Sequence, residues 1–369
     1  MKVAHLIGSL SIGGAERMLQ RLAIEHANES DVSVIVISMT NIGEPGLILK
    51  SRGIQVESLN MTGLWSAFAG FVKLLILLWK FRPNVLQTWL YWADLMGGLA
   101  AKFCRIDAVI WNIRCTHFGD GRWTGHLVKI NARLSQWLPR SIICCGYTAM
   151  EFHRDKNFDS RKMVVLPNGY DLEFLSKNKF DHEPHNTKCH IEIVSIGRMD
   201  ILKNYPLLIE AANLVLEKNR NVHFTIIGRN CTTDPSLIYL ISKFQIGDNF
   251  KLHEELADVR EPLNAADLFV SSSVSEGFPN VVAEAMAMEV PCIVTDAGDA
   301  AIIVGNTGIV VPVDDASALA EGIIKFADLT RDDRVALGAA ARKRILENYE
   351  MGHVAQMYLD HYRQVARRT

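Results

Sequence analysis

Short runs of apolar and β-branched residues alternate with longer segments whose apolar positions recur every three or four residues. Residues 3–7 read as a strand, 15–28 as an amphipathic helix, 32–38 as a β-branched strand and 54–58 as a shorter one. An apolar helix follows over 64–80, then strand 84–88 behind Pro83, helix 91–103, strand 108–113, helix 123–138 and strand 141–145. Strands spaced by helices in this way argue a parallel sheet covered on both faces. The pattern breaks over 178–190, NKFDHEPHNTKCH, a polar stretch with Pro184 that reads as a linker. It restarts with strand 191–196, helix 206–217, strand 222–227, helix 236–244 and strand 267–271. Helix 281–288, strands 292–295 and 309–313, and helices 316–326, 331–348 and 353–367 complete the chain. The sequence therefore predicts an α/β protein of two doubly wound, Rossmann-like domains, residues 1–167 and 168–349. Residues 350–369 form a terminal helix expected to pack back on the first domain. Ligands of such sheets bind beyond the carboxyl ends of the strands, so an interdomain cleft is the expected site.

Composition narrows this picture only slightly. The 369 residues suffice for two domains, and 49% hydrophobic with 22% charged content is ordinary for a globular chain. A net charge of -2 gives no case for nucleic-acid binding. The apolar run at the N-terminus is short and lacks a small-residue cleavage site, which favours a strand over a signal peptide. The seven cysteines are odd in number and contain no C-x-x-C pair, so reduced structural thiols in the cytoplasm are expected. Residues 64–79, LWSAFAGFVKLLILLW, carry only Lys73 as a charge. As a helix they would reach about 24 Å, short of the ~30 Å hydrocarbon core of a bilayer. A helix buried against the sheet is the expectation, and one partly exposed to a membrane surface is the alternative.

Three features carry chemistry. The turn after the first strand contains Gly13 and Gly14 just before a helix start, where a backbone can approach a ligand closely. It is not G-x-G-x-x-G, and the second strand ends in Ser38-Met39-Thr40 without a ribose-binding acid, which weakens a nicotinamide dehydrogenase reading. Strand 191–196 runs into Gly197-Arg198-Met199-Asp200-Ile201-Leu202-Lys203, placing two cations past a strand end. An Arg fork and a Lys point charge both suit a diphosphate. Most informative is Ser275-Glu276-Gly277-Phe278-Pro279-Asn280-Val281-Val282-Ala283-Glu284. Asn280 reads as the N-cap of helix 281–288, with Pro279 in the turn before it. The amides after it could hold an anion. Glu276 on the loop and Glu284 one turn into the helix flank that anion site, as a nucleotide sugar would require.

Together these stretches resemble the retaining glycosyltransferases of family 4, which have the two-domain GT-B fold. The resemblance runs through GGAER near the start, LPNGYD at 166–171, the GR…KN segment and ADLFVSSSVSEGFPNVVAEAMAMEVPCIVTD at 266–296. It implies that Glu276 touches the hydroxyls of the transferred sugar and Glu284 holds the ribose. It also implies that the backbone at Phe278, Pro279, Asn280 and Val281 approaches the sugar and phosphates, while Arg198 and Lys203 neutralise the leaving diphosphate. No Asp-x-Asp occurs, and a metal-independent mechanism without a cofactor fits. The family usually carries a His after a first-domain strand near the donor sugar. Here Arg114 takes that place and His117 follows, and either could contact the donor. Asp296-Ala297-Gly298-Asp299-Ala300 departs from the family's usual Gly-Gly, leaving the sugar open.

The expected activity is transfer of a sugar from a nucleotide-diphosphate donor, uridine-based, to a glycan or lipid-diphosphate-linked acceptor in polysaccharide assembly. A GT-B sugar-nucleotide epimerase and a non-catalytic nucleotide-sugar-binding protein are the alternatives. On the acceptor side, Arg122, His126, Lys129 and Arg133 recur at helical spacing beside an apolar stripe of Trp123, Leu127, Ile130 and Leu134. Such a helix is either a solvated basic face or a contact for an anionic membrane surface, which would make the enzyme peripheral on its inner face.

Overall fold

A computed structural model describes residues 1–11, 13–116, 124–176, 190–256 and 258–367. The chain divides into two units: unit 1 is Met1–Gly169 with Met351–Thr369, and unit 2 is Tyr170–Glu350.

Unit 1 runs β1 (Lys2–Ile7), α1 (Gly14–Asn28), β2 (Ser33–Ser38), α2 (Glu44–Ser51), β3 (Gln55–Ser58), α3 (Leu64–Phe81), β4 (Val85–Trp89) and α4 (Tyr91–Cys104). It continues with β5 (Val109–Ile113), α5 (Thr124–Leu134), β6 (Ser141–Cys144), α6 (Tyr147–Asp155) and β7 (Met163–Val165). The strands form one parallel sheet in the order β3-β2-β1-β4-β5-β6-β7. Its central strands β1, β4 and β5 are buried on both faces, apart from Lys2 at the start of β1, because helices cover both sides, and they carry buried polar residues His5, Gln87, Thr88 and Asn112 among their apolar ones.

Unit 2 runs β8 (Ile191–Ile196), α7 (Tyr205–Lys218), β9 (Val222–Ile227), α8 (Pro235–Phe244), β10 (Phe250–His253), α9 (Arg260–Ala265) and β11 (Leu268–Ser271). Then come α10 (Asn280–Ala287), β12 (Cys292–Thr295), α11 (Ala300–Val304), β13 (Ile309–Val311), α12 (Ala316–Ala327) and α13 (Arg331–Tyr349). The sheet order is β10-β9-β8-β11-β12-β13, all parallel. Several helix starts are capped as their sequences require: Asp234 accepts from Leu237 N at 3.1 Å and Asp315 from Ala318 N at 2.8 Å. In both sheets the chain reverses direction next to the first strand, so β1/β4 and β8/β11 are the switch points where such folds hold ligands.

The last helix, α14 (Met351–Arg367), belongs to unit 1 and packs on α1. Its Tyr358, Leu359 and Tyr362 are buried in the same core as Leu19, Leu22 and Trp89. A polar cluster lies within that packing. Trp89 Nε1 donates to His5 Nδ1 at 3.3 Å, the Tyr362 hydroxyl donates to Gln87, and His26 Nε2 donates to the Ala355 carbonyl at 3.1 Å.

One expected element differs in its environment. α3 is not buried against the sheet; only Gly70, Leu74 and Leu78 are fully buried, with Phe71, Leu75 and Leu77 half-buried beside them, while Trp65 is 90% and Phe68 70% exposed. A single stripe of the helix faces the protein, and the apolar residues on the rest of its circumference meet solvent. Helix 123–138 is shorter than its pattern, ending at Leu134 ahead of turns before Pro139.

Burial lowers the pKa of His5 well below its ordinary value and that of His26 to about 4, with the positive charge of Arg363 also acting on His26. An unfolded chain regains an ordinary imidazole and binds more protons as pH falls through about 6.5, so the stability these residues contribute is present above that pH and lost below it. The midpoint of thermal unfolding should fall between about pH 7.5 and about pH 5, and less so in His26→Gln, which keeps a donor for Ala355. Equal acid dependence in the two proteins would contradict this role for His26.

Candidate functional site

The turns following β8, β11 and β12 meet at the carboxyl end of the unit 2 sheet. A cavity of about 150 Å³ opens there, lined by the end of β8, Lys203 and Tyr205, the loop after β11 with Glu276, and the start of α10.

Lys203 ends a short 3-10 turn, Ile201–Lys203, whose start is capped by Asp200 accepting from Leu202 N at 3.0 Å. The next residue, Asn204, has φ 47°, a left-handed conformation that Asn tolerates, and its side chain donates to Asp314 at 2.7 Å. Gly197 makes room for the lysine: a Cβ there would stand 2.9 Å from Lys203 Cε. The Tyr205 hydroxyl donates to the Gly197 carbonyl at 2.6 Å. Burial, with the nearby Cys231 thiol and Glu276 carboxylate adding to it, pushes the Tyr205 phenol well up, so it stays a neutral donor.

The loop carrying Glu276 is stitched to the lysine turn. Val274 N donates to Leu202 O at 2.9 Å, and Ser272 Oγ donates to Lys203 O at 2.8 Å. Lys203 Nζ then donates to Glu276 Oε1 at 2.6 Å, and Ser273 Oγ donates to the same oxygen at 2.8 Å. The two side chains are 26% and 16% exposed, so the pair is largely removed from water. From the other side, Gly298 has φ +61°, and a Cβ there would lie 2.1 Å from the Glu276 carbonyl. This position requires glycine both for its backbone angle and for the close approach.

Pro279, Asn280, Val281 and Val282 bring the N-terminal turn of α10 to the cavity. Val282 N and Ala283 N donate to the carbonyl of the N-cap Pro279 at 3.1 and 3.4 Å, and the amides of this turn, aligned with the helix dipole, make this end favour negative charge. The cap differs from the expected one. Pro279 occupies the N-cap position and Asn280 is the first helical residue, without a side-chain cap. The Asn280 side chain is used elsewhere: its Oδ1 accepts from the hydroxyl of the fully buried Tyr170 at 2.8 Å.

The structure thus brings together Lys203, Glu276, Phe278, Pro279, Asn280 and Val281. Glu284, one turn along α10, is buried and does not line the cavity. Arg198 sits on the surface, paired with Asp200 at 2.9 Å, and does not line it either. Arg114 follows β5 in unit 1, where it donates to Asn168 and, at 2.9 Å, to Tyr358, with its guanidinium 4.7 Å from the Trp89 ring. Gly13 and Gly14 begin α1; Gly13 is extended, with φ −168°. Lys129 and Arg133 are exposed on α5, while His117 and Arg122 lie outside the described residues. Sequence reading missed Ser273 and Tyr170 as site-building residues, and it set the segment 296–300 near the donor sugar without giving Gly298 a role. Ser273 stood in a run of three serines and Tyr170 in the LPNGYD motif, but neither spacing shows which distant group each one touches.

The N-terminal half of the chain, residues 12–174, matches the family model described as Glycosyltransferase Family 4, and residues 190–328 match Glycosyl transferases group 1. The chain is a glycosyltransferase, with a family 4 domain followed by a group 1 domain. Among curated relatives, this glycosyltransferase is similar to the capsular polysaccharide biosynthesis glycosyltransferase CapM of Staphylococcus aureus, 26% identical across 76% of this chain and 77% of that one. It is also similar to the Escherichia coli UDP-Gal:alpha-D-GlcNAc-diphosphoundecaprenol alpha-1,3-galactosyltransferase, at 25% identity over 70% of each chain. Its fold is that of Anabaena Alr3699/HepE, crystallised in complex with UDP, with a TM-score of 0.84, 16% identity and coverage of 99% and 100%. A glycosyltransferase from Rickettsia africae matches with a TM-score of 0.82 at 16% identity, over 100% and 99% of the chains. The enzyme therefore has the GT-B fold of two Rossmann-like domains.

Gly298→Ala in this glycosyltransferase should lower stability by about 1–3 kcal/mol, through a strained backbone and displacement of the Glu276 loop. Denaturant unfolding measures it, and a variant as stable as the wild type would show that the contact is not tight.

Proposed function

We propose that this glycosyltransferase transfers a hexose, with retention of configuration, from a uridine diphosphate sugar to a glycan or lipid-diphosphate-linked acceptor in surface polysaccharide assembly. The observation that carries this reading is the Lys203–Glu276 pair set against the N-terminal turn of α10. The reading is supported by the E. coli relative, named for UDP-Gal and a diphosphoundecaprenol-linked sugar, and by the Anabaena protein crystallised with UDP. Work in the cytoplasm, at the inner face of a membrane, accords with cysteines that are free thiols among the described residues.

In this mechanism the diphosphate seats at the start of α10. As the bond to the sugar breaks, negative charge grows on the leaving phosphate. Lys203 and the first-turn amides meet that charge more strongly in the transition state than in the ground state. Arg198, exposed on the same turn, swings from Asp200 to add a second cation. These groups supply the charge that a metal ion supplies in other sites. Glu276 exchanges its lysine contact for sugar hydroxyls and holds the ring in position rather than attacking it. Glu284, buried one turn behind the cavity wall, is the carboxylate that the family pattern assigns to the ribose. The leaving phosphate accepts the acceptor's proton on the face from which it departs, so the new bond forms with the old configuration.

A thermal-shift screen against uridine, guanosine and adenosine diphosphate sugars tests the donor class, because a ligand of the native state raises the midpoint. Uridine donors should give the largest shift. Lys203→Ala and Glu276→Gln should each reduce kcat by about 10²–10³, the range seen when one transition-state donor is removed. Turnover near that of the wild type in purified Lys203→Ala would overturn the diphosphate assignment.

A further inference from the structure

The outward face of α3 is apolar where a solvated helix carries charge. Trp65, Phe68, Val72, Ile76 and Trp79 follow one another at intervals of three or four residues and are 90%, 70%, 39%, 48% and 64% exposed. On the neighbouring α4, Phe103 is 73% exposed, and its ring lies 6.2 Å from that of Phe71 on α3, which continues the apolar surface across both helices. Contiguous apolar faces of this kind mark an interaction surface.

Charge chooses the partner. Lys80, Arg82, Lys102 and Arg105 stand exposed at the ends of α3 and α4, and Lys129 and Arg133 are exposed on α5, which packs beside α4. Among the described residues from Leu64 to Leu134 the acids are Asp94, which is fully buried, and Asp107. The mid-helix Lys73 is already engaged, donating to Ser58 O at 2.7 Å and lying 3.7 Å from Glu57. We propose that the α3–α4 face of unit 1 is a docking surface for an anionic lipid bilayer. Trp65 and Trp79 enter the interfacial region, where the amphipathic indole prefers to sit, and the surrounding cations meet acidic headgroups. Arg82, 5.8 Å from the Trp79 ring, keeps its charge at that boundary.

Two other occupants fit less well. A two-fold contact with a second copy would bring this patch against itself and set cations against cations. A span across the membrane fails on length and connection. The 18 residues of α3 give about 27 Å against the ~30 Å core. Moreover, α3 joins β3 to β4 within one parallel sheet, so its two ends stay with the fold. Docking in the plane of the membrane is what remains. It rests on unit 1 alone and stands or falls separately from the donor reading of unit 2.

Co-sedimentation of the whole protein with vesicles tests the proposal. One set contains phosphatidylcholine with phosphatidylglycerol, and the other phosphatidylcholine alone. The wild type should bind the anionic set and release it as salt rises. The triple variant Trp65→Ser, Phe68→Ser, Trp79→Ser should bind at least about tenfold more weakly, and Lys80→Glu with Lys102→Glu should lose the preference for anionic lipid. Should the triple variant fold poorly, Trp65→Ser alone, at the most exposed position of the row, carries the same comparison. No binding by the wild type, or undiminished binding by the tryptophan variants, would overturn the proposal. So would a wild-type dimer that the triple variant converts to monomer without any change in vesicle binding.

Discussion

A single ammonium–carboxylate contact organises unit 2. Lys203 and Glu276 come from different strand-ends, β8 and β11, and meet at 2.6 Å in a site largely closed to water. A charge left unpartnered in such a place is costly, so each residue constrains the other's turn. The surrounding features follow from that requirement. The 3-10 turn aims the lysine, Ser273 fixes the carboxylate oxygen, and backbone bonds join the two loops. Gly197 and Gly298 remove the side chains that would push the loops apart. In the proposed mechanism, what the pair costs in desolvation becomes useful when a diphosphate arrives, because the lysine is already held beside the start of α10.

Unit 1 is built differently on its two sides. On one, α14 closes over α1 and buries histidines, tyrosines and Gln87 in hydrogen-bonded contact with the sheet. On the other, α3 and α4 show aromatic side chains outward. The first side is the source of the acid dependence expected from its buried histidines, and the second is a surface that water solvates poorly. Arg114 belongs to the closed side: Asn168, Tyr358 and the Trp89 ring engage it, so it joins β5 to the last helix whatever else it contacts.

Much of this architecture was legible in the sequence because burial on both faces leaves long apolar strands that periodicity detects. β9 and β12 fall where the apolar runs place them, at Val222–Ile227 and Cys292–Thr295. Short elements such as α2, α6, β7 and α11 escaped, since few residues establish no period. α3 was misread because hydrophobicity reports what a helix could bury and not what covers it. At the site, Lys203 and the Glu276 loop were legible from residue chemistry, whereas Arg198, expected beside them, pairs with Asp200 on the surface. The Asn280 cap was misassigned because a distant partner, Tyr170, takes the side chain that a local rule gives to the helix. The role of Gly298 was invisible for the same reason: its need for glycine arises from a carbonyl more than twenty residues away in sequence.

The most direct measurement is a crystal structure of the enzyme soaked with a uridine diphosphate sugar. The diphosphate should lie at the N-terminal turn of α10 within hydrogen-bonding reach of Lys203 Nζ, with Glu276 turned from the lysine to the sugar hydroxyls. A diphosphate bound away from that turn, with the Lys203–Glu276 contact unchanged beside it, would contradict the account.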